Sequence, residues 1–200
     1  MTVLNRVAAL LVPLTLAATL ATLAVTVHAA PALKAGVFEP PRQAPEFALR
    51  GSDGNELGLA RYRGKLVLMS FGFTHCAAVC PTTLATLAQA RQALGPQAGA
   101  VQVVFVTVDP ERDDPAQLKA YLAAFDLSFV GGAGKPEVLA AMRKNYGVVA
   151  NKVPMPSGGY AVDHTSSIFL IDRDGKLRAM MPYGHDARDF VHDIKLLLAQ

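Results

Sequence analysis

The two cysteines, Cys76 and Cys80, are the residues of this chain whose type and spacing point most directly to chemistry. They are the only cysteines in the sequence, and they lie four positions apart. An apolar run at 66–71 predicts a buried strand before them, and residues 81–94 predict a helix after them. Free backbone N–H groups and the helix dipole at such a junction favour the thiolate. The sequence therefore predicts a thiolate site that binds a metal or exchanges disulfides.

The four-residue spacing favours a metal clip over a disulfide. Cysteines at positions i and i+4 of a helical turn have Cβ atoms about 5–6 Å apart, whereas a disulfide needs about 3.5–4.5 Å. Closing a disulfide would therefore require a local rearrangement. A structural disulfide is the alternative, but so short a loop would add little entropic stability. Thiolate ligands select soft or borderline metals.

Length and charge narrow the range of functions. A chain of 200 residues suggests one domain whose core needs no disulfide framework. The net charge is +3, and basic and acidic residues are mixed along the sequence without a run of Lys or Arg. Nucleic acid is therefore not expected as a partner.

An uncharged stretch at 7–27 follows Arg6 near the N-terminus. It is either a cleaved signal peptide or a membrane anchor, because about 20 apolar residues span a bilayer. We favour the anchor, since a signal-peptide core has only about 7–15 apolar residues. The chain then divides into residues 1–29 (anchor or signal peptide), a proline-rich linker at 30–45 and a domain at 46–200. The domain is expected outside the cytoplasm, anchored to the inner (cytoplasmic) membrane and facing the periplasm, or free in the periplasm if cleavage occurs.

Further along the chain, apolar periodicity and turn signals predict alternating strands and helices. Asp53-Gly54 predicts a hairpin at 47–59, and Asp174-Gly175 predicts another at 167–181. Further strands are predicted at 101–108 and 127–130, and further helices at 115–125, 136–145 and 186–198. This order predicts an α/β fold with a mixed central sheet flanked by helices. A cysteine pair after the first core strand is typical of the thioredoxin-like fold.

Four stretches carry a resemblance to a known family. They are 73–81 (FTHCAAVCP), 106–113 (VTVDPERD), 146–148 (YGV) and 162–172, where VDHT precedes IFLID. Together they resemble the SCO/SenC family, the copper-binding, thioredoxin-like proteins of cytochrome c oxidase assembly. The resemblance implies Cys76, Cys80 and His164 as metal ligands. Ala77 departs from the family pattern, which usually has proline there, and this bears on the loop geometry and the redox potential of the pair.

The implied ligand set suits copper. Two thiolates and one imidazole form a trigonal Cu(I) site, and an added oxygen ligand accommodates Cu(II). Structural zinc prefers four protein ligands, although zinc with an added water stays chemically open. The family's acidic motif maps onto Asp109 and Asp113. For Asp109 and Asp163 we consider a role in supporting the metal ligands or in docking a partner, with turn formation as the alternative.

The remaining histidines and methionines have simpler interpretations. His75 is a possible ligand, but we expect the turn to direct it elsewhere, where it would lower the pKa of Cys76. His185 and His192 are expected at the surface or at a helix start. For Met155, Met180 and Met181 we expect hydrophobic packing, with assistance to Cu(I) as the alternative.

The resemblance implies a copper chaperone that delivers copper to the dinuclear copper site of cytochrome c oxidase by ligand exchange, without substrate turnover. One alternative is a thiol–disulfide oxidoreductase that uses Cys76 and Cys80 to reduce the oxidase's copper-ligand cysteines. Another is a thiol peroxidase, because Cys80-Pro-Thr resembles the peroxiredoxin signature. His164 separates these functions, since a reductase does not need it. The expected partners are the copper-bearing oxidase subunit, other copper chaperones or thiol reductants, and the membrane.

Overall fold

The computed structural model describes residues 32–156 and 158–200. The strands in this part of the chain are β1 (Gly36–Gln43), β2 (Leu49–Gly51), β3 (Glu56–Leu57), β4 (Leu66–Gly72), β5 (Val101–Thr107), β6 (Val130–Ala133), β7 (Ala150–Pro154), β8 (Tyr160–His164), β9 (Ile168–Ile171) and β10 (Lys176–Met181). The helices are α1 (Val79–Ala93), α2 (Pro115–Ala123), α3 (Pro136–Tyr146) and α4 (Ala187–Leu198). Eight strands form one mixed sheet, and β7 pairs with β8 in a separate hairpin. The predicted α/β fold with a mixed sheet is confirmed.

Three parallel strands form the centre of the sheet. The strand order is β1-β10-β9-β4-β5-β6-β2-β3, and β4, β5 and β6 run parallel. Every residue of β4 and β5 is buried, as expected for parallel strands that are covered on both faces. The register pairs Leu66 with Val101 and Gly72 with Thr107. The carboxyl ends of β4 and β5 therefore lie side by side, and the loops that follow them carry the cysteines and the acidic motif.

Local signals set the helix ends as predicted. Asp114 caps α2, because its side chain accepts a hydrogen bond from the N–H of Gln117, and Pro115 occupies the first helical position. Helix α3 ends at Gly147, whose φ of 70° is the left-handed conformation that favours glycine. Asp186 caps α4 through the N–H groups of the first turn.

The proline-rich stretch before residue 46 belongs to the sheet, so the predicted linker at 30–45 is wrong for most of its length. β1 pairs antiparallel with β10. It lies at the edge of the sheet, where the missing N–H of proline is tolerated. Next to it, the buried carboxylate of Asp193 on α4 accepts hydrogen bonds from the N–H groups of Lys34 and Ala35, at 2.7 and 2.8 Å. The folded domain therefore begins by residue 34, twelve positions earlier than the predicted start at 46.

Two other elements differ from the prediction. The strand predicted at 127–130 lies at Val130–Ala133, because Leu127 is exposed and the buried positions include Gly131 and Gly132. A Cβ at Gly131 would lie 2.7 Å from a carbon of Leu118. Helix α2 can therefore pack this closely against the strand only because residue 131 is glycine. The hairpin of β7 and β8 has no counterpart in the sequence prediction. Four of the five residues of β7 are exposed, so it lacks the alternation that marks a half-buried strand.

The segment interpreted as an anchor or signal peptide, residues 1–29, lies outside the described residues. Within residues 32–156 and 158–200, no helix is both long enough and apolar enough to cross a membrane. The choice between anchor and signal peptide therefore stays a prediction.

Candidate metal centre

Cys76 lies in the loop between β4 and α1 and is partly exposed. Its N–H donates to the carbonyl of Phe73 at 3.3 Å, and its Sγ accepts a hydrogen bond from the N–H of Cys80 at 3.4 Å. Burial alone would raise the pKa of this thiol, but hydrogen bonds from Cys80 and from the N–H groups of Ala78 and Val79 outweigh burial and lower the pKa of Cys76. Cys76 is therefore the readier thiolate, in agreement with its place at a helix N-terminus.

Cys80 lies in the first turn of α1 and is buried. Burial is the main cause that raises the pKa of its thiol, and the neighbouring Cys76 adds to the shift. Its Sγ lies 3.6 Å from Nε2 of His164. Gly72 makes room for this thiol, because a Cβ at residue 72 would lie 2.9 Å from that Sγ and 2.6 Å from the ring of Phe105. Cys80 is thus a neutral thiol until a cation replaces its proton.

His164 is the last residue of β8, and the fold brings it to Cys80 across 84 sequence positions. Its Nδ1 lies 2.9 Å from the carbonyl oxygen of Thr165, which can only accept a hydrogen bond. In the neutral imidazole Nδ1 therefore carries the proton, and Nε2 keeps a lone pair that faces Cys80. The ring of Phe73 packs edge-on against the imidazole, with centroids 5.8 Å apart. Such a fixed tautomer and ring orientation is what a metal-binding histidine requires.

The three predicted ligands lie at one place without forming a preassembled site. Cys80 contacts both Cys76 and His164. Among the residues that the structure describes, no three His, Cys, Asp or Glu side chains are clustered so as to hold a metal ion. The Sγ of Cys76 accepts a hydrogen bond from the N–H of Cys80 in the first turn of α1. The assignment of the three ligands stays a prediction that their proximity favours.

Asp113 is buried and fixes the loop that carries Cys76. Its carboxylate accepts hydrogen bonds from the N–H of Thr74 at 3.1 Å, the hydroxyl of Thr74 at 2.6 Å and the hydroxyl of Thr107 at 2.7 Å. The hydroxyl oxygen of Thr74 also lies 3.1 Å from Nδ1 of His75. The loop after β5 thereby holds the loop after β4 in place.

Asp109 is 0% exposed, which excludes it from contact with a partner. Its carboxylate accepts a hydrogen bond from the hydroxyl of Tyr160 at 2.8 Å and pairs with Nε of Arg112 at 2.5 Å. Arg112 also donates to the carbonyl of Tyr160 at 3.1 Å and stacks 3.9 Å from the centroid of its ring. Tyr160 begins β8 and His164 ends it. Asp109, Arg112 and Tyr160, which we call the hairpin clamp, therefore hold the strand that carries the histidine.

His185 and His192 contact carboxylates elsewhere in the domain. Nδ1 of His185 lies 2.8 Å from Asp189, and Nδ1 of His192 lies 2.9 Å from Asp193. Both histidines lie at or within α4, as expected for surface or helix-start residues. Asp163 is an exposed residue of β8.

The three methionines differ in their surroundings. Met181 is fully buried and Met180 packs against the core, so the predicted packing role is confirmed for both. Met155 is 40% exposed and follows β7, so packing does not account for its position.

Comparison with known proteins decides the family. The SCO1/SenC family model matches residues 38–199. The chain belongs to the SCO1/SenC family. It is 36% identical over 157 residues to the mouse protein "Protein SCO2 homolog, mitochondrial", and the match covers 77% of this chain and 62% of the mouse protein. The match to the human SCO2 homolog covers 50% of that protein, so this SCO1/SenC protein spans only part of the length of these relatives.

Solved structures of Sco proteins share the fold. Bradyrhizobium japonicum ScoI with copper bound is 37% identical, with a TM-score of 0.72 over 78% of this chain and 99% of ScoI. BsSco, described as a member of the Sco family of cytochrome c oxidase assembly proteins with a disulfide switch, is 25% identical, with a TM-score of 0.64 over 80% of this chain and 95% of BsSco. The predicted family resemblance and thioredoxin-like fold are confirmed.

In this SCO1/SenC protein, the sequence prediction missed the residues that position the histidine. Arg112 was not singled out, yet it contacts Tyr160 and lies 5.7 Å from the ring of Phe73, which packs on His164. The three-residue spacing between Asp109 and Arg112 is a signal for an ion pair on a helical turn. No comparable signal joins Arg112 to Tyr160, 48 positions later.

Proposed function

We propose that this protein is a copper chaperone that delivers copper to the dinuclear copper site of cytochrome c oxidase during assembly of the oxidase. The observation that carries the proposal is the 3.6 Å approach of Cys80 Sγ to His164 Nε2. It brings a thiol and an imidazole lone pair to the loop that also holds Cys76. Copper bound to ScoI, a relative 37% identical to this chain, supports the choice of metal. Copper is the cargo, and the protein turns over no substrate.

Copper loading starts at Cys76, because this cysteine is partly exposed and its thiol has the lowered pKa. The ion then displaces the proton of Cys80, whose thiolate is disfavoured by burial until a positive charge is present. Nε2 of His164 supplies a lone pair without losing a proton. Two thiolates and one imidazole suit Cu(I), and a further oxygen ligand accommodates Cu(II). Because loading releases protons, the copper affinity falls as the pH is lowered.

The route by which copper passes to an acceptor follows from the different exposure of the two cysteines. Cys80 is buried beside His164, whereas Cys76 faces solvent. An incoming cysteine or histidine of the acceptor would therefore reach copper from the Cys76 side. A three-coordinate ion leaves room for that new ligand before an old one departs. The acceptor in this proposal is the copper-bearing subunit of cytochrome c oxidase.

A thiol–disulfide reductase is the second candidate, and the same cysteine asymmetry favours it. A partly exposed thiol of lowered pKa beside a buried thiol of raised pKa resembles an attacking and a resolving cysteine. The Cys76 thiolate would attack a disulfide of the oxidase and release one of its thiolates, and the Cys80 thiolate would then release the other. The products are a Cys76–Cys80 disulfide and a reduced pair of oxidase cysteines.

Copper titration of the purified, reduced protein tests the chaperone proposal. Cys76→Ser or Cys80→Ser should abolish tight one-to-one Cu(II) binding and the sulfur-to-copper charge-transfer absorption. His164→Ala should weaken Cu(II) binding by more than the ~10–100-fold that loss of a ligand-orienting residue costs, and should weaken Cu(I) binding less. His185→Ala is the matched control, since that histidine contacts Asp189 instead.

Two outcomes decide between the candidates. One-to-one binding with unchanged absorption in Cys80→Ser would show that the chaperone assignment is wrong. Unchanged Cu(II) binding in His164→Ala would also contradict it. The reductase would then be supported if the same His164→Ala protein reduced an oxidase-derived disulfide peptide at the parental rate.

We also propose that residues 1–29 remain attached and anchor the protein in the inner membrane, with the domain in the periplasm. The support is the uncharged stretch at 7–27, which is long enough to span a bilayer. An anchored chaperone shares a membrane with an oxidase subunit, and this confinement raises the effective concentration of each for the other.

A further inference from the structure

The two cysteines line different cavities. Cys80 and His164 line a narrow pocket of about 10 Å³. Cys76 lines a separate, open cavity of about 430 Å³, and neither Cys80 nor His164 contributes to its wall. Cys76 can therefore meet a second group of side chains, distinct from the two that complete the proposed copper site.

Two further side chains of types that can bind copper line the open cavity beside Cys76, namely His75 and Met155. Imidazole, thiolate and thioether are borderline or soft ligands, and the thioether in particular selects Cu(I). Among the described residues of the cavity wall, none is Asp or Glu. The ligand set therefore fits Cu(I) rather than a hard cation.

His75 presents a free Nε2. The hydroxyl of Thr74 donates its single proton to the carboxylate of Asp113 at 2.6 Å. The Thr74 oxygen must then accept from Nδ1 of His75, which lies 3.1 Å away. The lone pair of the neutral imidazole is thereby left on Nε2. His164 has the same tautomer, fixed by the carbonyl of Thr165.

Met155 lies at the tip of the β7–β8 hairpin, where its N–H donates to the Gly159 carbonyl at 3.2 Å. Met155 is 40% exposed, so its thioether does not pack in the core, in contrast to the fully buried side chain of Met181. Its unbranched side chain has three rotatable bonds and adapts to irregular sites. An exposed, adaptable thioether on the wall shared with Cys76 is suited to a ligand that binds and releases copper.

We propose that His75, Cys76 and Met155 form an outer Cu(I) position, through which copper enters and leaves the inner position of Cys76, Cys80 and His164. This inference rests on the proposed chaperone function. Cys76 stays bound while copper moves inward. The bonds to Met155 and His75 break as those to Cys80 and His164 form, and the Cys80 thiol proton passes to solvent. Copper remains Cu(I) throughout, so no electron is transferred.

Stopped-flow uptake of Cu(I) from its glutathione complex by the reduced full-length chain tests the outer position. Met155→Leu and His75→Gln should each slow uptake by about tenfold, comparable to loss of a metal-supporting residue. The equilibrium Cu(I) affinity should stay near the parental value, because the inner position sets it. Met180→Leu and His185→Gln are the matched controls, since both lie outside the cavity, and should take up copper at the parental rate.

X-ray absorption at the copper edge supplies a second readout in Cys80→Ser, which lacks one inner ligand. Cu(I) bound weakly to this variant should show two sulfur neighbours, and adding Met155→Leu should leave one. Parental uptake rates in both Met155→Leu and His75→Gln, or a copper spectrum of Cys80→Ser that Met155→Leu does not alter, would overturn the outer position and leave the chaperone function intact. A parent protein that binds no copper would overturn both.

Discussion

Replacing Arg112 by methionine tests whether the hairpin clamp sets the position of His164. The substitution keeps most of the side-chain length and removes the guanidinium. It breaks the ion pair with Asp109, the hydrogen bond to the carbonyl of Tyr160 and the stacking on its ring. The hydroxyl of Tyr160 is then the remaining side-chain donor to the Asp109 carboxylate.

The cost to stability follows from the burial of the pair. Asp109 is 0% exposed and the side chain of Arg112 is 25% exposed. We expect a loss of about 3 kcal/mol, the low end of the range for removing one partner of a buried ion pair. For a domain of this size the melting temperature should fall by about 6–12 °C. Asp109→Asn in the same chain should restore much of this loss, because no uncompensated charge then stays buried.

Copper binding shows whether the hairpin clamp positions His164 or only stabilises the fold. Without Arg112, Tyr160 at one end of β8 keeps its hydroxyl bond to Asp109 but loses its other contacts with the clamp, and His164 at the other end loses its fixed approach to Cys80. Cu(II) affinity should fall about 10–100-fold, whereas Cu(I) affinity, held by two thiolates, should change little. The double variant Asp109→Asn, Arg112→Met should recover stability but not Cu(II) affinity.

Thermal unfolding and Cu(II) titration of the same preparations check this reasoning. Arg188→Met is the control, since Arg188 pairs with Asp186 while its side chain is 92% exposed. Because water screens that exposed pair, it should contribute little to the stability of the domain. If Arg112→Met binds Cu(II) with parental affinity, the clamp does not position His164. If its melting temperature is unchanged, the buried pair does not stabilise the domain as argued.

The remaining predictions concern pH and the N-terminus. Burial raises the pKa of the Cys80 thiol in the folded state. The stability that this thiol contributes is therefore present below the ordinary thiol pKa of about 8.5. It is lost as the pH rises above that value, by at most ~1.4 kcal/mol per pH unit. The lowered pKa of Cys76 has the opposite effect on the pH dependence of stability, because it favours the folded state as the pH rises. Urea unfolding of the reduced protein between pH 7 and pH 10 should therefore show a steeper decline for the parent than for Cys80→Ala, and parallel curves would contradict this. The proposed anchor predicts a mature protein that retains residues 1–29 in the membrane fraction. Mass spectrometry that finds the N-terminus at Ala30 in the soluble exported fraction would contradict the anchor.

Elements with strong local signals were predictable from the sequence. The apolar runs of β4 and β5, the Asp114-Pro115 start of α2 and the Asp174-Gly175 turn each determine local structure through neighbouring residues alone. β1 was not predictable in this way, because its prolines suggest a linker and its pairing depends on β10, more than 130 positions later. The β7–β8 hairpin was missed for a related reason, since most of β7 faces solvent.

The residues of the candidate site also differ in whether a local sequence signal predicts them. The cysteines were predictable because both sit at one strand-to-helix junction. His164 was found only through the family resemblance, since a single histidine carries no spacing signal. The hairpin clamp was not predictable, because the contact between Arg112 and Tyr160 joins two loops that only the folded sheet brings together.

The hydrogen bonds from the N–H groups of Lys34 and Ala35 to Asp193 would limit how far the domain can move from the proposed N-terminal anchor. Residue 34 is fixed to α4, so only residues 28–33 separate it from the uncharged stretch, and six residues span at most about 20 Å when fully extended. A linker that ran to residue 45 would have reached about 60 Å. If residues 1–29 form the proposed anchor, so short a connection would keep the domain within a thin layer above the bilayer. Under that proposal, an acceptor in the same membrane would have to present its copper ligands within this layer, close to the lipid surface.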